Sequence, residues 1–305
     1  LTYFNMVLQG VMGLNRIFVM LSKATASANR MDQVLQAPPD QRVLSPEEGL
    51  TPAGDEFIRF EHVSFRYNAR SDDAPDREQC LTDISFAIRR GESLGIIGPT
   101  GCGKTTIINL LMRFYDAEEG GVFVDGRDVR TYDKDELRRK FGVAFQNDMV
   151  FHNTLRENIA FGRQVSEEAL RRAVEDAVAA EYIDAIPQGL DYQADIQGAN
   201  LSGGQRQRLL VARALAGGSE ILVLDDASSA LDYKTDAALR KAIFENHKGT
   251  TTILVAQRVS SVQNMTNILV MDDGKCIGYG DHAHLLASCP AYREIYETQM
   301  GDMGE

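Results

Sequence analysis

The sequence predicts an α/β fold with a mainly parallel sheet, an antiparallel β portion and a helical portion, preceded by an N-terminal helix. Three observations carry that expectation. Leu94 to Ile97, Ile221 to Leu224 and Ile253 to Val255 are short unbroken apolar runs, the pattern of strands buried on both faces. Stretches between them are long enough and suitably started for helices, as at Ser166-Glu167-Glu168, where a capping residue precedes acids at the positive end of the dipole. The pairs Asp125-Gly126 and Asp273-Gly274 mark hairpins, so some strands run antiparallel.

Taken in chain order, residues 1–36 differ from the rest. Their charged side chains are Arg16, Lys23, Arg30 and Asp32, a net of +2 in a chain of 305 residues whose 32 basic and 44 acidic residues leave −12. From Leu1 to Asn15 there is no charge, but that run falls short of the roughly 20 apolar residues a spanning helix needs. The basic residues follow the apolar stretch, the reverse of a signal peptide. An amphipathic helix and the cytoplasmic end of a transmembrane helix both fit.

Four of the eight prolines, Pro38, Pro39, Pro46 and Pro52, mark a linker over residues 37–56. Beyond it, over 57–305, Phe57 to Phe65 and the alternating Ile84, Phe86 and Ile88 read as strands, with a polar loop from Asn68 to Gln79. From Ser166 to about Ile186 the chain reads as one helix, and a second runs from about Ser202 to Ala216. Residues 147–217 therefore form a strand-poor helical insertion between sheet strands. A helical ending covers Tyr292 to Met300.

Composition excludes several classes. Hydrophobic residues at 44% and charged residues at 25% exclude a disordered or fibrous chain. The acidic balance argues against nucleic acid as a partner. Cys80, Cys102, Cys276 and Cys289 are too few and scattered for a disulfide framework, and His282 and His284 lack clustered co-ligands for a metal.

Gly98-Pro99-Thr100-Gly101-Cys102-Gly103-Lys104-Thr105 follows the apolar strand at Leu94 and precedes a helix beginning Thr105-Thr106-Ile107. This strand, glycine turn and helix form a phosphate-binding loop: glycines let backbone N–H groups close on phosphates and the helix dipole favours negative charge. Lys104 reaches β and γ oxygens and the Thr105 hydroxyl ligates Mg2+. The expected core is thus a P-loop NTPase. Ile221 to Leu224 ends in Asp225 and Asp226, the first placed for the Mg2+ shell and the second for the attacking water. Leu201-Ser202-Gly203-Gly204-Gln205 opens a helix whose first N–H donors make a second anion site.

That last run, about 100 residues after the phosphate loop, resembles the signature of ATP-binding cassette (ABC) proteins. The resemblance covers nearly the whole chain and implies further roles. Tyr67 resembles the aromatic that stacks on adenine, and Gln146, in Ala144-Phe145-Gln146-Asn147-Asp148, the glutamine that touches Mg2+ and relays to the membrane domain. Ser229-Ala230-Leu231-Asp232 resembles the loop that crosses to a partner cassette, and the N-terminal run the cytoplasmic end of the last transmembrane helix of ABC exporters. The implied site is then Tyr67, Gly98 to Thr106 with Cys102 included, Gln146, Asp225, Asp226, Gln257 and Ser202 to Gln205, taking ATP and Mg2+.

Two positions depart from the family pattern. ABC ATPases normally carry Glu at Asp226 and His at Gln257. The shorter acid withdraws the carboxylate by one C–C bond, about 1.5 Å, and misplacement of about 1 Å costs on the order of 10²-fold. Gln257 can hydrogen-bond a γ-phosphate but cannot carry charge or shuttle a proton. The stretch Asp195-Ile196-Gln197-Gly198 also lacks the Glu that many exporters place before the signature. These departures imply a cassette that binds ATP, hydrolyses it slowly, and pairs with a different half-transporter retaining Glu and His. That places the chain on the cytoplasmic side of a cell membrane, as part of a longer exporter. The alternative is a separate ATPase subunit of an importer. Cys102 reads first as a small residue filling the turn; were its thiol accessible instead, maleimide would block nucleotide binding and ATP would protect against it.

Overall fold

The computed structural model describes residues 1–36, 41–67, 79–227 and 229–301, and divides into two compact units, Leu1–Arg42 and Val43–Glu305. In the first, a single helix α1 spans Thr2–Leu35, 34 residues with none buried. Its apolar surface does not stop at Asn15. Ile17 to Leu21 continue it beyond Arg16, and an 18-residue window reaches a mean hydropathy of 1.3, so the helix is long and apolar enough to cross a membrane. The sequence-based length of the apolar run is corrected accordingly: one arginine interrupts a composition, not a helix.

The second unit holds two sheets. Strands β1 (Ile58–Arg66), β2 (Gln79–Ile88), β4 (Glu119–Val124) and β5 (Arg127–Asp128) form an antiparallel sheet in the order β2-β1-β4-β5. Strands β3 (Ser93–Ile97), β6 (Phe141–Ala144), β7 (Ile221–Asp225), β8 (Thr251–Val255), β9 (Asn267–Asp272) and β10 (Lys275–Gly280) form the other, ordered β10-β9-β3-β8-β7-β6. Its strands are parallel except β10, which returns through the Asp273-Gly274 turn; both residues of that turn have positive φ, as do Asp125 and Gly126 between β4 and β5. Every residue of β3, β7 and β8 is buried, as unbroken apolar runs require. Of the predicted loop from Asn68 to Gln79, residues 68–78 lie outside the described residues and Gln79 is the first residue of β2.

Helix α2 (Lys104–Leu111) directly follows β3, and α3 (Lys134–Arg139) directly precedes β6. Between β6 and β7 come α4 (Leu155–Ala160), α5 (Glu167–Asp176), α6 (Ala180–Asp184) and α7 (Gly203–Leu215), the expected helical insertion. The expected single helix from Ser166 to Ile186 is broken. Val178 takes φ +54°, and the N–H groups of Val178 and Ala179 turn back to Glu175 O and Val174 O, the pair of bonds that closes a helix in a left-handed cap. Asp176, buried at the end of α5, accepts hydrogen bonds from Asn246 and from His247 at 2.9 Å, fixing that end against the C-terminal end of a later helix. That helix, α8, spans Tyr233–Asn246; α9 (Val259–Val262), α10 (His282–Ser288) and α11 (Pro290–Gly301) complete the chain.

The first residues of the second unit, after Arg42, are tied to its antiparallel sheet and the turn that follows. Leu44 N–H donates to Arg130 O and Leu50 N–H to Asp128 Oδ2 at 3.0 Å. Two apolar clusters lie against the parallel sheet. One gathers α4 to α7 with Leu222, Leu224 and Leu254; the other joins the antiparallel sheet and α2 to Leu94, Val223 and Ile253. Alternate strand residues thus serve opposite cores, and the carboxyl ends of β3, β8, β7 and β6 are left side by side.

Candidate functional site

Four strand ends build one cavity of about 190 Å3. Its walls include Thr100, Gly101, Gly103 to Thr106, Gln146, Asp225, Asp226 and Gln257. After β3 the chain turns through Gly98, where a Cβ would stand 2.2 Å from Met271 O, and through Gly103 at φ +99°, where it would stand 2.6 Å from Leu81 Cδ2. Glycine is required at both. Gly103 then opens α2 with no side-chain cap, leaving its first-turn N–H groups to a ligand. Lys104 Nζ donates to Gly98 O at 2.8 Å and Pro99 O at 2.7 Å, folding the cation back over the loop.

Thr105 Oγ1 donates to Asp225 Oδ2 at 3.0 Å across the cavity. Asp225 is only 2% exposed, and burial first, then the neighbouring Asp226 charge, push its carboxyl above the usual range. Burial pushes Asp226 up as well, against the opposing hydrogen bond from Gln257. Asp226 Oδ2 accepts from Gln146 Nε2 and from Gln257 Nε2, both at 3.0 Å. Two adjacent carboxylates lifted by burial, beside a hydroxyl and an amide oxygen, form a hard-oxygen donor set that fits a divalent cation sharing its ligands with phosphate.

Other expected residues lie elsewhere. Tyr67 does not line the cavity; it is exposed beside it, its hydroxyl donating to Thr106 Oγ1 at 3.1 Å, with its ring edge-on to Phe65 and Tyr115. Cys102 is 4% exposed, packed with the core on the β side, and burial pushes its thiol up, so it fills the turn and the alternative of an accessible thiol falls: the loop offers ligands a backbone there, not a side chain. Ser202, Gly203, Gly204 and Gln205 are also absent from the cavity wall. They form a capping box in which Ser202 Oγ accepts from Gln205 N–H and Gln205 Oε1 from Ser202 N–H at 2.9 Å. Of the donors expected to face outward, Gln205 N–H is thereby taken. Gly203 and Gly204 are packed on Ala230, where added Cβ atoms would stand 3.4 Å from Ala230 Cβ and 3.3 Å from Ala230 O.

Comparison with known proteins agrees with this geometry. The ABC transporter family pattern matches residues 81–229, from β2 through the phosphate loop and Ser202 run to Ser229. The ATP-dependent lipid A-core flippase of Desulfotalea psychrophila is 37% identical over 280 residues, 92% of this chain and 47% of the flippase. The protein named "Probable multidrug resistance ABC transporter ATP-binding/permease protein YheI" of Bacillus subtilis is 38% identical over 298 residues, 97% of this chain and 50% of YheI. Residues 81–229 are an ABC transporter domain. A solved structure described as a bacterial Atm1-family ABC exporter with ATP bound superposes with a TM-score of 0.78 at 30% identity, covering 94% of this chain and 49% of the exporter. The chain spans about half the length of the curated relatives it matches.

The structure adds residues that sequence spacing did not single out. Cys80, at the start of β2, lines the cavity with its Sγ 3.2 Å from Thr106 Oγ1. Gln207 joins the signature helix to the following loop, accepting from Ala230 N–H at 2.8 Å and donating to Ser229 Oγ at 2.9 Å. Neither had a sequence signal beyond its neighbourhood to a motif.

Proposed function

We propose that this chain is the ATP-binding half of an ABC exporter, holding Mg2+ and ATP in the cavity at the carboxyl ends of β3, β6, β7 and β8. The convergence of Lys104, Thr105, Gln146, Asp225, Asp226 and Gln257 on that one cavity supports the reading most directly. Lys104 Nζ exchanges its two carbonyl partners for phosphate oxygens, and Thr105, Asp225 and Gln146 hold the Mg2+ site. Mg2+ held there would supply charge neutralisation to the phosphates. Tyr67, exposed next to Thr106, offers its ring to the adenine.

Asp226 is the residue that positions water, and it does so weakly. Its shorter carboxylate is drawn to two amide donors, Gln146 and Gln257, that both engage Oδ2. Gln257 adds a hydrogen bond but no charge. The cassette is therefore a holding site with slow hydrolysis, and its Ser202 to Gln205 run, standing outside its own cavity, completes the site of a partner half-transporter that retains Glu and His. The domain division follows: α1 in the membrane with its basic end cytoplasmic, a linker over 37–56, and the cassette over 57–305. The span-length helix α1 favours a fused exporter over a separate importer subunit.

The test is nucleotide binding and phosphate release by the 305-residue chain in detergent. Tight Mg-ATP binding with negligible turnover alone, and turnover on adding a partner half-transporter with Glu and His, is the expected result. Robust hydrolysis by this chain alone defeats the holding-site reading, and absence of nucleotide binding defeats the whole.

A further inference from the structure

The loop that delivers Gln146 is anchored on one side only by groups the nucleotide reading accounts for. It runs from the end of β6 to the start of α4. Its far end is pinned by Asn158, buried on α4, whose Nδ2 donates to Phe151 O at 2.9 Å and Thr154 O at 3.0 Å and whose Oδ1 accepts from Phe151 N–H at 2.8 Å. Behind Asn158 stands Arg213 of α7, 4% exposed, with Nε donating to Asn158 O at 2.8 Å and Nη2 to Asn158 Oδ1 at 3.2 Å. Its guanidinium lies 4.6 Å from the centre of the Phe161 ring.

The remaining nitrogen, Nη1, is buried without a hydrogen bond. It faces Asp148 Oδ1 at 3.5 Å, two residues along the loop from Gln146. A buried cationic donor left unpaired is costly, and a bond at ordinary length lies only a few tenths of an ångström away. Asp148 is built to transmit that pull: its N–H bonds Phe145 O at 3.3 Å and its Oδ1 accepts Met149 N–H at 3.0 Å, so the 145–149 turn moves as a piece with Gln146 inside it. Burial and then the nearby Arg163 charge lower the Arg213 pKa, and Asp148 opposes them. The pair also lines a groove of about 1070 Å3 that shares no lining residue with the nucleotide cavity, so open space adjoins Asp148.

We propose that Arg213 and Asp148 form a positioning pair that sets where Gln146 stands in the nucleotide cavity, and thereby how well the site holds Mg2+ with its nucleotide. The inference rests on the reading of that cavity as a Mg-ATP site. Neither residue touches nucleotide; both act through Gln146.

The test measures the affinity of the 305-residue chain in detergent for a fluorescent N-methylanthraniloyl ATP, with Mg2+ and with EDTA. Wild type, Asp148→Asn, Gln146→Ala, the double variant and Asp148→Glu are compared. Asp148→Asn keeps the side-chain shape on a partly exposed residue, which avoids the folding risk of replacing buried Arg213. The expected result is a loss of about tenfold with Mg2+, the low end of what removing an outer partner does to metal affinity. Affinity in EDTA stays unchanged, the double variant loses no more than Gln146→Ala, and Asp148→Glu recovers part of the loss. An Asp148→Asn chain with wild-type Mg2+ enhancement, an equal loss in EDTA, or losses that add in the double variant overturns the pair. A wild-type chain that binds no nucleotide overturns the Mg-ATP reading and the pair with it.

Discussion

Lengthening Asp226 by one methylene should switch hydrolysis on. Asp226 Oδ2 sits 3.0 Å from the amide nitrogens of both Gln146 and Gln257, and its backbone N–H is bonded to Val255 O at 3.0 Å, so the carboxylate is held back near the strand end. Glutamate at this position advances the carboxylate by about 1.5 Å. Recovering a displacement of 1 Å or more is worth on the order of 10²-fold in kcat, about 2.7 kcal/mol in activation free energy. Residue 226 has φ +51°, a conformation that Asp accepts more readily than longer side chains, so Asp226→Glu should also lower thermal stability slightly; this serves as a check that the site was altered as intended. The assay is phosphate release at saturating Mg-ATP with Lys104→Ala as blank, comparing Asp226→Glu alone and with Gln257→His. KM should hold while kcat rises about 10²-fold for the single variant and further for the double, as an ionisable ring enters. A single variant that binds nucleotide normally but stays within threefold of wild type refutes the argument, as does a wild type already turning over at the variant's rate.

Lys104→Ala should weaken ATP binding about 10- to 100-fold, since hydrogen bonds to charged groups carry about 1.5–3 kcal/mol; equilibrium titration measures it. Asp225→Asn should raise the melting temperature of the nucleotide-free chain at pH 7. The Asp225 carboxyl has a pKa raised in the fold, so its favourable contribution is complete below the ordinary carboxylate range and lost as pH rises through the raised value. The gain should therefore shrink in melts taken at progressively lower pH. Ser202→Ala removes the capping-box acceptor for Gln205 N–H and should cost about 1 kcal/mol by denaturant unfolding.

The phosphate loop was legible because its chemistry is local. Gly101 and Gly103 take φ of +87° and +99°, values glycine adopts freely, and the apolar strand and helix on either side are adjacent in sequence. The pairing of Gln146 and Gln257 on one oxygen of Asp226 was not, because it depends on β6, β7 and β8 lying side by side, and no periodicity states strand order. Val178 hid the break between α5 and α6, since a β-branched residue is a poor stop signal and the cap is closed by backbone bonds alone. Cys102 was visible as a loop residue, but which way its side chain turns is decided by the core formed with β1 and β2. The signature run was readable as a helix start, whereas its position outside the cavity required the full chain trace.

Lys104 Nζ, by donating to Gly98 O and Pro99 O, ties the start of the phosphate loop to the helix that follows it. A flexible side chain thus braces a turn built of glycines, whose own backbone has the widest choice of conformation. Lys104→Ala should therefore loosen the loop as well as remove a charge, and faster hydrogen exchange at residues 100–103 would register it.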